Sequence, residues 1–343
     1  MTHSRVVLTA EDDAFDPVTI QSWKDEGFQV AYLPFRGRRK EYIEEINSLP
    51  DPLELGEKYA IVAYGEAASV VLELAQKPMP KLCALVAYYP DRPPQNINAF
   101  PPSLEVCVHL AEAQPVGVRY KSYVYAESKP GFAESDLEDF DERNADLAWT
   151  RTLGLVRKAL DQDVDLEAIW EKHVGLEFAT KDADATMSTM VADPYVNHIP
   201  TLTGGVGYEA LHRFYRDYFI PGNPPSLRMR LVSRTVGVNR VVDEMHVSFR
   251  HTQEIPWMLP GIGPTDKEVE VALVAVVCIR GGKLYHEHIY WDQASVLMQI
   301  GLLDPTLVPG SKAKQHLPIV GREGARKVLD KHSTQSNQLI PGW

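Results

Sequence analysis

The order in which strand-like and helix-like segments follow one another changes once along this chain, near residue 161. Before this point, short apolar runs alternate with helix-like stretches, as in a parallel sheet covered by helices on both faces. After it, helix-like segments come first and four strand-like runs follow, which is typical of an α+β domain. A chain of 343 residues is also longer than one core usually organises. The sequence therefore predicts two domains of different class.

The acidic, polar segment 161–165 is the predicted joint between these domains. We expect a first domain over residues 1–160, a second over 166–305 and a C-terminal extension over 306–343. The strand-like runs of the first domain are 5–9, 30–33, 59–64, 82–89 and 104–110. In the second domain, predicted helices over 166–180 and around 211–219 precede predicted strands at 227–238, 240–251, 268–280 and 283–291.

Composition and charge exclude several classes of partner. The formal net charge of −12 disfavours nucleic acid, because phosphate binding requires clustered Lys and Arg, and the basic stretch 36–40 fits a solvated loop. Cys83, Cys107 and Cys278 lie in apolar runs without disulfide or metal spacing. No apolar run reaches the roughly 18 residues of a membrane span, and the N-terminus has no apolar signal segment. We therefore expect a cytoplasmic protein with neither a nucleic-acid nor a membrane partner.

Three segments of the first domain resemble a known family. The strand 60–64, which turns sharply into a helix of small residues, resembles the nucleophile elbow of an α/β hydrolase. Gly-Phe-Ala at 131–133 and Ala-Asp-Leu-Ala-Trp-Thr-Arg-Thr at 145–152 resemble the end of a dienelactone hydrolase. The resemblance places Gly65, Gln114 and Pro130 at the three triad positions, and none of these residues can attack, orient or transfer a proton. We therefore expect a degenerate hydrolase domain without esterase activity.

The second domain resembles the SnoaL-like branch of the NTF2-like superfamily. Helices, then a four-stranded antiparallel meander, then a closing helix are the element order of that fold, and local matches occur at 194–198, 251–253, 264–265 and 287–301. The resemblance covers about 140 residues. It implies a cone-shaped α+β domain with a pocket, and it implies a homodimer, because sheet faces in this family usually pair. The fold hosts cyclases, isomerases, dehydratases and binding domains, so the reaction stays open.

The candidate catalytic residues are Asp292, His288 and His251. In polyketide cyclases of this family, an Asp at the position matching Asp292 is the general acid/base, although Asp292 also suits the N-cap of the closing helix. Alternation along 284–292 puts His286, His288, Tyr290 and Asp292 on one face of a strand, which makes His288 the second proton carrier. His286 and His288 have no carboxylate at a clear spacing, so we predict no metal site.

Five residues are predicted to bind substrate: Tyr195, Asn197, His198, Trp257 and Tyr290. Asn197 and His198 suit the pocket mouth, where they can polarise a carbonyl, although a capping or turn role fits equally. Trp257 lies in the apolar loop 257–261, which suits a lid or a dimer contact. The face of strand 240–251 that carries Asp243, Met245, Val247, Phe249 and His251 is the predicted pocket wall, and the face with Glu244, His246 and Arg250 is predicted to be solvated or an interface.

Together these features predict a cyclase or isomerase that needs no cofactor and acts on an apolar, oxygenated natural-product intermediate. One carboxyl and one or two histidines would move protons in aldol closure or dehydration, and shape alone would direct a pericyclic cyclisation. Two other classes stay open. One is a non-catalytic small-molecule-binding or scaffold protein. The other is a lactone or ester hydrolase, which would require a different nucleophile near the elbow, such as Ser69 or Glu66.

Overall fold

The computed structural model describes residues 4–94, 100–114, 120–306 and 316–343. The chain forms two compact units, residues 1–164 and 165–343. Within the described ranges, no helix combines the length and apolar character that crossing a membrane requires.

The first unit is built on a six-stranded sheet in which all strands are parallel, in the order β2-β1-β3-β4-β5-β6. Its strands are β1 Arg5–Ala10, β2 Gln29–Pro34, β3 Tyr59–Tyr64, β4 Leu82–Tyr88, β5 Glu105–Ala111 and β6 Ser122–Tyr125. Its helices are α1 Pro17–Asp25, α2 Arg39–Ser48, α3 Gly65–Leu74 and α4 Glu142–Ala159.

Both faces of this sheet are buried, because successive strand residues point to opposite sides. Val6 and Leu8 of β1 belong to the core that contains Trp23 of α1 and Val156 of α4. The intervening Val7 belongs to a second core, with side chains of α2 and α3. The predicted parallel sheet with helices on both faces is confirmed.

The second unit combines helices with a six-stranded mixed sheet in the order β8-β7-β12-β11-β10-β9. Its strands are β7 Met190–His198, β8 Thr203–Val206, β9 Arg228–Val236, β10 Arg240–Arg250, β11 Glu268–Arg280 and β12 Lys283–Trp291. Its helices are α5 Leu166–Val174, α6 Ala183–Ser188, α7 Tyr208–Phe214, α8 Ile220–Gly222, α9 Gln293–Gln299 and α10 Arg322–Leu329, with π-helical continuations at Gly175–Thr180 and Tyr215–Phe219.

The predicted antiparallel meander is confirmed for β9 to β12. The sequence prediction missed β7, which pairs in parallel with β12, and β8, which pairs with β7. Asp193 and Pro194 interrupt the apolar pattern of β7, and both residues are rare in strand interiors. The pairing accommodates them through a shift of register between Leu284 and His286.

The sheet face that carries Glu244 and His246 is partly covered by the chain's own C-terminal helix, α10, which packs on β10 and β11. Arg326 of α10 donates to Glu270 at 2.6 Å, and His246 Nε2 lies 3.3 Å from the same carboxylate. His246, on a face predicted to be solvated or an interface, is consequently buried within one chain.

The elbow of the first unit is closed by a carboxylate. β3 passes directly into α3 at Gly65, whose φ of +54° lies in the left-handed region. The Glu11 carboxylate accepts the backbone N–H of Glu66 and occupies the space that a Cβ on Gly65 would fill. A side chain at this position therefore meets both backbone strain and a fixed neighbour.

We expect Gly65→Ser to destabilise the first unit more than Gly56→Ser does. Both glycines have positive φ, but a Cβ at Gly56 meets nothing within 4 Å. The control carries only the backbone cost of about 1–2 kcal/mol, and overpacking adds about 1–3 kcal/mol at Gly65. Hydrogen exchange of residues 59–74 in the full chain measures the difference, and equal effects of the two substitutions would contradict this account.

Candidate active site

A cavity of about 380 Å³ lies in the second unit, between α5, its π-helical continuation and the concave face of the sheet. Its wall is mostly apolar and aromatic, as is usual for small-molecule sites. Apolar lining residues include Trp170, Phe178, Tyr215, Phe219, Trp257 and Ile289. Polar lining residues are Glu171, Glu177, His198, Arg234, Asp243 and Glu287.

A buried cluster of His173, Glu177 and Glu287 borders this cavity. His173 and Glu177 are one turn apart along the helix, so they share one side of it, and Glu287 faces them from β12. His173 Nε2 lies 3.1 Å from Glu177 Oε1 and 3.3 Å from Glu287 Oε1. The Tyr215 hydroxyl interacts with both carboxylates, and burial, as well as their charge, raises its pKa.

Hydrogen bonds define the charge of His173. The Thr189 hydroxyl donates to the carbonyl of Thr186, so it can only accept from His173 Nδ1, which lies 2.6 Å away. Nε2 donates to Glu177, so both ring nitrogens carry hydrogens and the ring is an imidazolium. Burial alone would lower the pKa of His173, but the charge and hydrogen bond of Glu177 and the nearby Glu287 carboxylate outweigh burial and raise it to about 10.

One atom of this cluster lacks a hydrogen bond. His173 Nε2 has a single hydrogen, which points to Glu177. Glu287 Oε1 is buried and accepts no hydrogen bond from any residue that the structure describes. Buried acceptors are nearly always satisfied, so this oxygen is suited to receive a donor from a ligand.

A second polar group in the cavity wall is built around Asp243. Arg234 donates to its two oxygens through Nε and Nη2, at 2.7 and 2.9 Å, and Trp170 Nε1 donates to it at 2.8 Å. Arg234 Nη1 donates to Glu167 and Glu171. This network is internally paired and orients the wall around the cavity.

His198 and Trp257, two of the five predicted substrate-binding residues, line the cavity. His198 Nδ1 lies 3.1 Å from the Thr203 carbonyl, which can only accept, so Nδ1 carries the hydrogen and Nε2 the lone pair. Burial lowers the pKa of His198 to about 4, which keeps it neutral at pH 7. Trp257 is held by a hydrogen bond to Asn223 at 2.9 Å, as a fixed part of the wall.

The other predicted substrate-binding residues lie on the opposite face of the sheet. Val196 and His198 of β7 and Glu287 and Ile289 of β12 face the cavity, so their neighbours Tyr195, Asn197, His288 and Tyr290 point away from it. The rings of Tyr195 and His288 meet there at 5.4 Å, and Tyr290 is 43% exposed. Alternation identifies residues that share a face, but both faces of β12 carry polar groups, so the pattern did not identify the inner one.

Asp292 and His251 also lie outside the cavity lining. Asp292 is exposed and caps α9, where its carboxylate accepts the N–H of Ser295 at 3.1 Å. His251 is buried near the end of β10, where Nδ1 accepts the N–H of Thr265 at 3.2 Å. Asp243 and Met245 from the same predicted pocket wall do line the cavity. The positions of Asp292, His288 and His251 therefore differ from the sequence prediction, which placed all three in the pocket.

The sequence prediction missed His173, Glu177 and Glu287. A signal existed, because His173 and Glu177 interrupt an otherwise apolar face of the helix over 166–180. Their ligand atoms and that of Glu287 lie within 4.8 Å of one another, so the cluster has the residue types for a cation. His173 Nε2 could serve as a metal ligand only after losing the hydrogen that it donates to Glu177.

In the first unit, the resemblance to hydrolases assigned Gly65, Gln114 and Pro130 to the positions of a triad. Gly65 has no side chain, and Gln114 accepts from the N–H of Ala111 and donates to the carbonyl of Pro90. Pro130 lines a second cavity of about 260 Å³, which also contains Glu11 and Glu134. Burial raises the pKa of Glu134 to about 7.

Comparison with known proteins supports the fold of the second unit. Residues 171–287 match the model of the SnoaL-like domain family. Together with the six-stranded parallel sheet, this match confirms the predicted fold class. The resemblance of the first unit to dienelactone hydrolases gains no support from these comparisons. No curated protein matches the chain.

Several solved structures are similar to part of the chain at low sequence identity. TsrD from Streptomyces laurentii is 17% identical over 41% of this chain and 100% of its own, with a TM-score of 0.33. A putative SnoaL-like polyketide cyclase from Jannaschia sp. CCS1 is 18% identical over 42% of this chain and 99% of its own, with a TM-score of 0.33. Another, from Shewanella putrefaciens CN-32, is 11% identical over 43% of this chain and 92% of its own, also with a TM-score of 0.33.

Proposed function

We propose that the second unit is a cyclase or isomerase that moves a proton on an apolar, oxygenated small molecule. The observation that carries this proposal is the buried His173–Glu177–Glu287 cluster, with a free carboxylate oxygen, at the wall of an apolar cavity. Carboxylates in such surroundings are effective general bases, and an adjacent imidazolium holds the charge in place. This role for Glu287 replaces the one that the sequence predicted for Asp292.

In the proposed mechanism, Glu287 accepts a proton from a carbon or hydroxyl of the substrate and returns it at a second position. His173 donates to Glu177 and lies 3.3 Å from Glu287 Oε1, so its positive charge attracts both carboxylates and orients them. Neutral His198 offers Nε2 to a substrate hydroxyl. The aromatic wall excludes water and fixes the substrate's conformation, which supports ring closure as well as isomerisation.

The direct test uses 2-tetralone, an apolar bicyclic ketone that fits the cavity's size and polarity. We expect the protein to accelerate exchange of its α-hydrogens for deuterium in D₂O above the buffer rate, followed by proton NMR. A protein that binds 2-tetralone but leaves exchange at the buffer rate would support the non-catalytic binding protein instead.

A lactone or ester hydrolase in the first unit is not favoured, because Gly65, Gln114 and Pro130 supply neither nucleophile nor base. We therefore expect no hydrolysis of nitrophenyl acetate above the rate in buffer, measured by nitrophenolate absorbance. We also expect no fold-dependent labelling of residues 1–160, either by a fluorophosphonate, which reacts with activated serines, or by iodoacetamide, which reacts with cysteines. Fold-dependent labelling is labelling that is lost when the protein is unfolded. Turnover together with stoichiometric labelling in this unit would overturn the expectation.

A further inference from the structure

The charges on the cavity wall indicate which class of molecule it accepts. Four lining residues are carboxylates, namely Glu171, Glu177, Asp243 and Glu287. Within the described ranges, Arg234 is the cation among the lining residues, and the imidazolium of His173 lies behind the wall. Glu171 is 61% exposed and screened by solvent, so the three buried carboxylates and the two cations leave the site with a net charge of −1. An anionic ligand would therefore be repelled, since local Coulomb interactions are strong in an apolar cavity.

Arg234 does not offset this repulsion. Its Nε and Nη2 are directed to Asp243, and its Nη1 to Glu167 and Glu171. A substrate carboxylate or phosphate could bind it only by displacing one of these partners, and the displaced carboxylate would remain near the new anion. The guanidinium is thus committed to the wall.

Two further features favour a cation. Glu287 lines the cavity, and its buried Oε1 has no hydrogen-bond donor among the residues that the structure describes. Much of the remaining wall is aromatic and is formed by Trp170, Phe178, Tyr215, Phe219 and Trp257. Ammonium groups bind well where aromatic rings and a carboxylate meet, because ring faces and carboxylates both attract positive charge.

We propose that the ligand of this cavity is an apolar molecule that carries a protonated amine, and that the ammonium group binds beside the Glu287 carboxylate. The inference rests on the same cavity as the proposed function and deepens it by naming the substrate class. The proposal excludes three kinds of group from the position next to Glu287: carboxylic acids, phosphates, and thioesters whose carrier group bears a phosphate.

The test compares three ligands with the same bicyclic skeleton: 2-aminotetralin, tetralin and tetralin-2-carboxylate. Isothermal titration calorimetry of the full chain at pH 7.5 measures each affinity. We expect the amine to bind at least about tenfold more tightly than tetralin, and tetralin more tightly than the carboxylate. Equal binding of amine and carboxylate, or tighter binding of the carboxylate, would overturn the proposal.

Glu287→Gln tests the named contact, and Glu268→Gln, an exposed carboxylate on β11, is the matched control. We expect the preference for amine over tetralin to fall by about tenfold in Glu287→Gln and to persist in Glu268→Gln. An unchanged preference in a folded Glu287→Gln protein would refute the contact. Because the comparison of ligands needs no variant, it decides the proposal even if Glu287→Gln does not fold. Failure of 2-tetralone exchange with intact amine selectivity would refute the proposed reaction alone.

Discussion

Glu287→Gln is expected to slow α-hydrogen exchange of 2-tetralone by about 10²- to 10⁴-fold, the usual contribution of a positioned general base. Gln keeps the shape of Glu287 and can still accept a hydrogen bond, but it cannot take a proton. The rate is measured by proton NMR in D₂O at pH 7.5, with near-ultraviolet circular dichroism to confirm the fold. Glu268→Gln is the control and should retain the rate of the unsubstituted protein.

Asp292→Asn separates this account from the role that the sequence predicted. Asn caps a helix about as well as Asp, so neither stability nor exchange should change if Asp292 only caps α9. A loss of exchange in Asp292→Asn with retention in Glu287→Gln would contradict the assignment of the base to Glu287.

His173→Leu is expected to lower the free energy of unfolding of the second unit by about 3–5 kcal/mol, the usual cost of removing one partner of a buried ion pair. Without the imidazolium, Glu177 and Glu287 remain buried beside each other with no cation between them. Urea unfolding at pH 7, followed by tryptophan fluorescence, measures the change. His332→Leu replaces an exposed histidine and should stay within about 0.5 kcal/mol.

Two measurements check that the loss of stability comes from the uncompensated carboxylates: one uses a double variant, and the other uses the dependence on pH. His173→Leu combined with Glu177→Leu removes one of the two uncompensated carboxylates and should recover part of the lost stability. If the loss came from a packing defect alone, the second substitution would increase it. The pKa of His173 is about 10 in the folded protein and about 6.5 in an unfolded chain. Its contribution is therefore fully present below pH 6.5 and is lost as the pH rises through 10. The stability advantage over His173→Leu should narrow between pH 7 and pH 10, and a constant difference would contradict the assignment.

The sequence predicted the first unit well because its strands are buried on both faces. Such strands appear as uninterrupted apolar runs, for example Tyr59–Tyr64. Because these runs alternate with helices, few sheet topologies are compatible with the sequence. The junction of β3 and α3 at Gly65 was predictable for the same reason. What the sequence did not reveal is the Glu11 carboxylate at this corner, because the contact joins residues 55 positions apart.

The candidate site was harder to predict, because its residues come from distant elements and one strand has two polar faces. His286, His288 and Tyr290 lie on the outer face of β12, while Glu287 lies on the inner one. Only the parallel pairing with β7 and the position of α5 determine which face meets the cavity. His173 and Glu177 were visible as a helical pair, but their partner is 110 residues further along from Glu177.

The charge states of two histidines test the central claim most directly. Nitrogen-15 NMR of imidazole-labelled protein at pH 8 distinguishes a doubly protonated ring from a neutral one. We expect His173 to be an imidazolium, since its pKa is about 10, and His198 to be neutral with its hydrogen on Nδ1, since its pKa is about 4. His173→Leu and His198→Gln assign the signals. A neutral His173 at pH 8 would mean that Glu177 and Glu287 are not held as a charged pair, and it would contradict the proposed acid–base site.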